Sequence, residues 1–287
     1  MRSVTRQILV FLVLTFVLSA IPESVLLTRG GMQVGGGFAV YAVMWCPALA
    51  AFLTCALFRI DVATLGWNWR PAKYEWIGYA LPLLYATPVY VVTWLAVDGA
   101  FAYDGFAQAQ AKVWNWPDAP NLATWFLTIP LSATIGVIRG VSSALGEEIG
   151  WRGFLLPRLT TRLGFTLGCL ASGVIWAVWH YPAIIGAGYE AGTPQVYEIG
   201  CFTLMVIAMS FVIGWLRLKS KSLWPCAILH ASHNLFIQHI FDGMTATTGK
   251  AVYITTEFGI GMGITLAILA IWFWSKRMEV NMAPVPV

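Results

Sequence analysis

Charge is what this 287-residue chain has least of: 10% of its residues are Asp, Glu, Lys or Arg, against about 25% in an ordinary soluble domain. With 59% of residues hydrophobic and a mean hydropathy of +0.72, it cannot cover a soluble globule of its size with polar side chains. The net charge of +4 is small and forms no basic stripe, which argues against nucleic acid as a partner. No polar stretch is longer than Asp98–Pro120, so no sizeable soluble domain is expected. The five cysteines (Cys46, Cys55, Cys169, Cys201, Cys226) are odd in number, lie in or beside apolar runs and lack C-x-x-C spacing. They read as small packing residues rather than metal ligands or disulfides. The chain also lacks H-E-x-x-H, G-x-S-x-G and a G-x-G-D aspartate pair, which weakens the compact zinc, serine-elbow and intramembrane aspartate readings.

What the chain does have is long apolar runs. Eight segments approach the ~20 residues that cross a bilayer, at about 8–28, 37–58, 76–97, 123–146, 164–185, 199–216, 223–241 and 254–274. The expected fold is all-α, a polytopic membrane protein of about eight transmembrane helices with the active site inside the bundle. The first run, behind Arg2 and Arg6, exceeds the ~7–15 apolar residues of a signal peptide and is expected to be a retained span. If the spans alternate in direction, thirteen Lys and Arg fall on one side and three (Arg29, Lys112, Lys250) on the other, with Arg139 inside a span. That asymmetry places both termini in the cytoplasm. Tryptophans near segment ends, among them Trp67, Trp69, Trp76, Trp114, Trp116, Trp224, Trp272 and Trp274, read as interfacial anchors. The expected organisation is residues 1–120 as N-terminal helices, 121–245 as a catalytic core and 246–287 as a last helix and tail.

Three polar groups interrupt the apolar runs. The first is Glu147-Glu148-x-x-x-Arg152. Glu148 and Arg152 stand at i and i+4, the spacing of a favourable acid-to-base pair. Glu147 lies about 100° round the helix without that partner, which leaves it for general-base work. The second is His180, behind Trp176 and Trp179, and the third is His230 with Asn234, again at i and i+4 on one helix face. His233 and His239 are expected to be structural. Ionisable groups inside a bilayer normally face the bundle interior and one another. A glutamate, two histidines and an asparagine so gathered suit attack of water on a peptide carbonyl.

These motifs resemble those of the CPBP family of intramembrane endopeptidases, the CAAX-protease and bacteriocin-processing (Abi-like) group. Its pattern is E-E-x-x-x-R, then F-x-x-x-H, then H-x-x-x-N or H-x-x-x-D on successive core spans. Here they are Glu147-Glu148-x-x-x-Arg152, Trp176-x-x-x-His180 and His230-x-x-x-Asn234, with Trp176 in place of the usual Phe. The resemblance covers roughly residues 125–242. It implies Glu147 as base, His180 as the residue holding water, His230 and Asn234 as the oxyanion site, and Glu148 and Arg152 in support. The implied substrate is a membrane-associated peptide or a prenylated CAAX-like protein, in what is expected to be a prokaryotic plasma membrane.

A cofactor is not favoured. Glu147, His180 and His230 could nevertheless hold Zn²⁺ with an open position for water, as metalloprotease-like sites do. Two non-hydrolytic alternatives stand: an immunity or binding protein of the same family, and a transporter using Glu147, Arg139 and His180. One tension is geometric. His180 is sixteen residues into its segment, about 24 Å, while His230 is seven residues into its own and Glu147 closes the fourth. A fourth helix running from Pro130 to about Pro157 would reduce the mismatch.

Overall fold

The computed structural model describes residues 2–69, 72–113, 115, 124–247 and 249–280. Trp114 and Trp116 lie outside them. The described residues form an all-α bundle whose one β feature is an isolated bridge between Phe101 and Thr245. The helices are α1 (Arg2–Arg29), α2 (Phe38–Phe58), α3 (Lys73–Ala96), α4 (Tyr103–Val113), α5 (Val137–Glu148), α6 (Leu156–Gly186), α7 (Gln195–Ser220), α8 (Trp224–His233) and α9 (Ile260–Ser275). Wider π-helical turns continue two of them, Ile149–Leu155 after α5 and Asn234–Phe241 after α8. Five helical stretches are long and apolar enough to cross a membrane, among them Trp125–Gly186.

The first helix shows the bilayer as its solvent. Leu9, Val13, Val17 and Ile21, four residues apart along one face, are 58–66% exposed. Gln7, Thr15 and Ser19 on the other face are buried. In water that arrangement would be inverted. In lipid the exposed stripe costs nothing, and the polar face finds partners inside: Gln7 accepts from Arg158 Nε at 3.0 Å, and Ser19 accepts from Trp179 Nε1 at 2.8 Å. Trp272 and Trp274 are part-exposed beneath the cations of Lys276 and Arg277, as anchors at a span end would be. All five cysteines are buried free thiols.

The fourth expected span is longer than the sequence suggested. It runs without a break past Glu148, Arg152 and Arg158 and reverses at Gly164, whose φ of 74° is a left-handed value that favours glycine. Arg152 and Arg158, which read as loop charges in the sequence, are buried within this stretch, and Arg217 is buried in α7. Each has a compensating neighbour. Arg158 donates to Gln7 and to the Phe154 carbonyl and covers the Phe154 ring at 3.7 Å; Arg217 donates to the carbonyls of Arg152 and Leu65. These three arginines therefore leave the loop count, and the remaining excess still falls on the same side. The reversal also resolves the depth mismatch. Glu147 precedes Gly164 by seventeen residues and His180 follows it by sixteen, so the two legs present them at one level. His230 reaches that level sooner because the turn before α8 is tucked in, with Leu223 buried and its N–H bonded to Gly66 O at 2.8 Å.

Close backbone approach fixes this stretch against α2. A Cβ built on Gly146 would lie 2.6 Å from the Met44 carbonyl oxygen, and one on Gly150 would lie 2.5 Å from Pro47 Cβ and 2.7 Å from its carbonyl oxygen. Overpacking at such a contact costs about 1–3 kcal/mol. Gly150→Ala is therefore expected to lower the midpoint of thermal unfolding in detergent by several degrees. An unchanged midpoint would mean that the two helices part freely.

Candidate active site

Three parts of the bundle supply the site: the end of α5, the last third of α6, and α8 with the turn after it. Glu147 and Glu148 close α5 just where the helix widens into π turns, a local geometry frequent at functional sites. Both carboxylates are buried, at 2% and 0% exposure. Their surroundings differ. Glu148 Oε1 accepts from Arg152 Nη1 at 2.8 Å and faces His230 Nδ1 at 2.9 Å. Because the ionised carboxylate only accepts, His230 carries its proton on Nδ1 toward Glu148. Glu147 takes no part in that pair. Its Oε2 accepts from the indole N–H of Trp176 at 2.8 Å.

His180 is fixed by its own helix. Its Nδ1 lies 2.8 Å from the Trp176 carbonyl oxygen, which can only accept. The proton therefore sits on Nδ1, and Nε2 is left as an acceptor. Trp179, Phe202 and Tyr189 surround the ring. Asn234 is half-buried at the first π-helical position after α8.

Glu147, His180, His230 and Asn234 line one cavity of about 120 Å³. The four residues named from the three motifs thus meet, although they are spread over 88 positions of the chain. Glu148 and Arg152 stand behind the wall, joined to the cavity through His230. The cavity has an apolar side, including Met44, Met205 and Met209, and a polar side that includes His233, Gln238 and Glu257. Arg139 is exposed and outside this cavity, so it does not join Glu147 and His180 as a transport pathway would need.

The polar side was missed by the sequence reading. His233, expected to be structural, bonds Tyr85 OH at 2.6 Å and Glu257 Oε1 at 2.7 Å, and it also lines the cavity. Glu257 further accepts from Tyr189 OH and from Gln238 Nε2 at 2.9 Å. The available signal was an acidic residue inside the eighth apolar run. His239 is exposed and outside the cavity.

Among the described residues, no three His, Cys, Asp or Glu side chains come together as a group that could hold an ion. Trp176 occupies one oxygen of Glu147.

A helical membrane bundle enclosing a cavity lined by Glu147, Asn234 and three histidines, with Glu148 and Arg152 paired behind its wall, is the class that this geometry defines. Comparison with known proteins places it further. Residues 121–236 match the family described as Rce1-like, Type II CAAX prenyl endopeptidase Rce1-like, and the match includes all three motifs. The chain is also 31% identical over 97 residues to a protein named CAAX prenyl protease 2 from Methanococcus maripaludis. That alignment spans 32% of this chain and 36% of the relative, about a third of each. The resemblance drawn from the three motifs is borne out over this segment.

The buried ion pair yields a stability prediction. Removing one partner of such a pair costs about 3–5 kcal/mol, because the other is left buried and uncompensated. Arg152→Met is expected to destabilise the purified protein on that scale in thermal or denaturant melts, and adding Glu148→Gln should recover a good part of the loss. A double variant no more stable than Arg152→Met would show that the two groups are not coupled.

Proposed function

We propose that this chain is an intramembrane endopeptidase that hydrolyses a peptide bond with a water molecule activated by Glu147. The observation that carries the reading is the meeting of Glu147, His180, His230 and Asn234 on one cavity, in a segment that matches an endopeptidase family. Glu147 takes a proton from water, whose oxygen attacks the carbonyl carbon. His180 Nε2, the acceptor nitrogen, holds that water by its second hydrogen. The carbonyl electrons move onto oxygen, where the Asn234 amide donates to the developing charge, joined by Nε2 of His230 in its imidazolium form with Glu148 as counter-ion. The C–N bond then breaks, and the proton held by Glu147 passes to the leaving amine. Water enters, and a carboxylic acid and an amine leave.

The substrate class follows from two considerations. The bundle is surrounded by lipid, so the substrate must be membrane-associated, either a hydrophobic leader-like peptide or a prenylated CAAX-like protein. The name of the Methanococcus relative favours the second. The chain is then an integral protein of a prokaryotic plasma membrane, with both termini in the cytoplasm as the basic residues suggest. The alternative is an immunity or binding protein that keeps the motifs without turnover.

The test uses purified wild type and Glu147→Gln, a farnesylated CAAX peptide and a pool of hydrophobic leader peptides, with products read by mass spectrometry. Wild type is expected to cleave, and Glu147→Gln to fall at least about a hundredfold, within the range for loss of a general base. Cleavage is expected to survive EDTA and phenanthroline. Equal cleavage by both proteins would remove Glu147 from the role, and loss on chelation restored by zinc would replace the metal-free mechanism. Cleavage by neither would favour the binding role.

A further inference from the structure

Trp176 lines the same cavity and has no part in the hydrolytic steps above. Trp176 stands at the position where the motif usually carries Phe, and it does something that a phenyl ring cannot. Its indole N–H donates to Glu147 Oε2 at 2.8 Å. The two oxygens of Glu147 are thereby made unequal. Oε2 is held, and among the described residues Oε1 accepts no hydrogen bond. The carboxylate forms part of the cavity lining. The indole is itself well placed: buried at 3% exposure, its ring centroid 3.9 Å from the guanidinium carbon of Arg152, 5.5 Å from the His230 ring and 5.8 Å from the His180 ring.

The cation over the ring matters for the hydrogen bond. A guanidinium over an indole face is held by the electron density of the ring. Drawing that density toward the cation leaves the N–H at the ring edge more positive and a better donor. Arg152 thus acts on both carboxylates. It reaches Glu148 directly through Nη1 at 2.8 Å, and Glu147 through the polarised indole. Glu147 therefore has no direct cationic partner at i+4, but it is linked to Arg152 indirectly through the indole.

We infer that Trp176 is a positioning residue of this site: its N–H, polarised by the Arg152 guanidinium, anchors Oε2 of Glu147 so that Oε1 is the oxygen presented to the attacking water. This rests on the general-base reading of Glu147. It goes beyond that reading by assigning a role to each oxygen and by giving the chain's departure from Phe a function. The variant Trp176→Phe would still pack, since a phenyl ring is what the motif ordinarily carries there. What it would lose is the fixed rotation of the Glu147 carboxylate about its last bond.

The test has a spectroscopic and a kinetic arm, both on the full chain in detergent. With ¹⁵N-labelled tryptophan, the indole N–H signal absent from Trp176→Phe identifies Trp176. In Glu147→Ala that signal is expected to move upfield as its acceptor disappears, with smaller effects on the other indoles. A Trp176 signal unmoved by Glu147→Ala would overturn the proposal whatever the activity. In the kinetic arm, with the farnesylated peptide or a cleaved leader peptide, Trp176→Phe is expected to lower kcat about tenfold with KM within twofold, since binding surface is kept and orientation is lost. An unchanged kcat, or a loss confined to KM, would leave Trp176 a packing residue and overturn the proposal. Failure of the underlying reading shows separately: Glu147→Gln turning over like wild type removes the base, and the anchoring role falls with it even if the indole signal moves.

Discussion

The structure depends on a guanidinium with no exposed surface. Arg152 is fully buried, and a cation at such a depth persists only where its surroundings match it. Glu148 supplies the opposite charge from the same helical stretch, one turn away. The face of Trp176 comes from α6, His230 from α8 shares the Glu148 oxygen, and Arg217 from α7 donates to the Arg152 carbonyl at 2.9 Å. Four parts of the bundle are therefore located by one charge and its immediate partners. Glu147 is brought to the cavity by the same arrangement, because it is the sequence neighbour of Glu148 and the hydrogen-bond partner of Trp176.

The rest of the bundle serves to keep that polar centre in register. Gly146 and Gly150 let the stretch that carries the carboxylates touch the α2 backbone. The reversal at Gly164 sends α6 back so that His180 returns to the level of Glu147. The lipid-facing stripe of α1 releases its polar face to bond Arg158 and Trp179. In hydrocarbon an unsatisfied polar group is expensive and an exposed leucine is not, so the hydrogen bonds rather than apolar burial decide which face of a helix turns inward.

The apolar runs, and the motifs within them, were legible because both are local. Eight segments can be counted from hydropathy, and the i, i+4 spacing of Glu148 and Arg152 survives even though the helix widens between them. The end of the fourth span was hidden because Arg152 and Arg158 look like loop charges when their partners are unknown. Those partners, Trp176, Gln7 and the face of Phe154, include residues 24 and 151 positions away. The link between His233 and Glu257 was hidden for a similar reason, since Glu257 sits outside any helix in the segment before α9. The direction of one indole N–H, which relates Trp176 to Glu147, has no counterpart in sequence spacing at all.

The central claim is that Glu147 acts on water and does not itself attack the substrate. A single turnover in H₂¹⁸O, followed by digestion and mass spectrometry, separates these possibilities. The account predicts one ¹⁸O in the newly formed product carboxylate and a Glu147-containing peptide of unchanged mass. Heavy oxygen in the Glu147 peptide would mean that a covalent anhydride had formed on the glutamate, and would contradict the account.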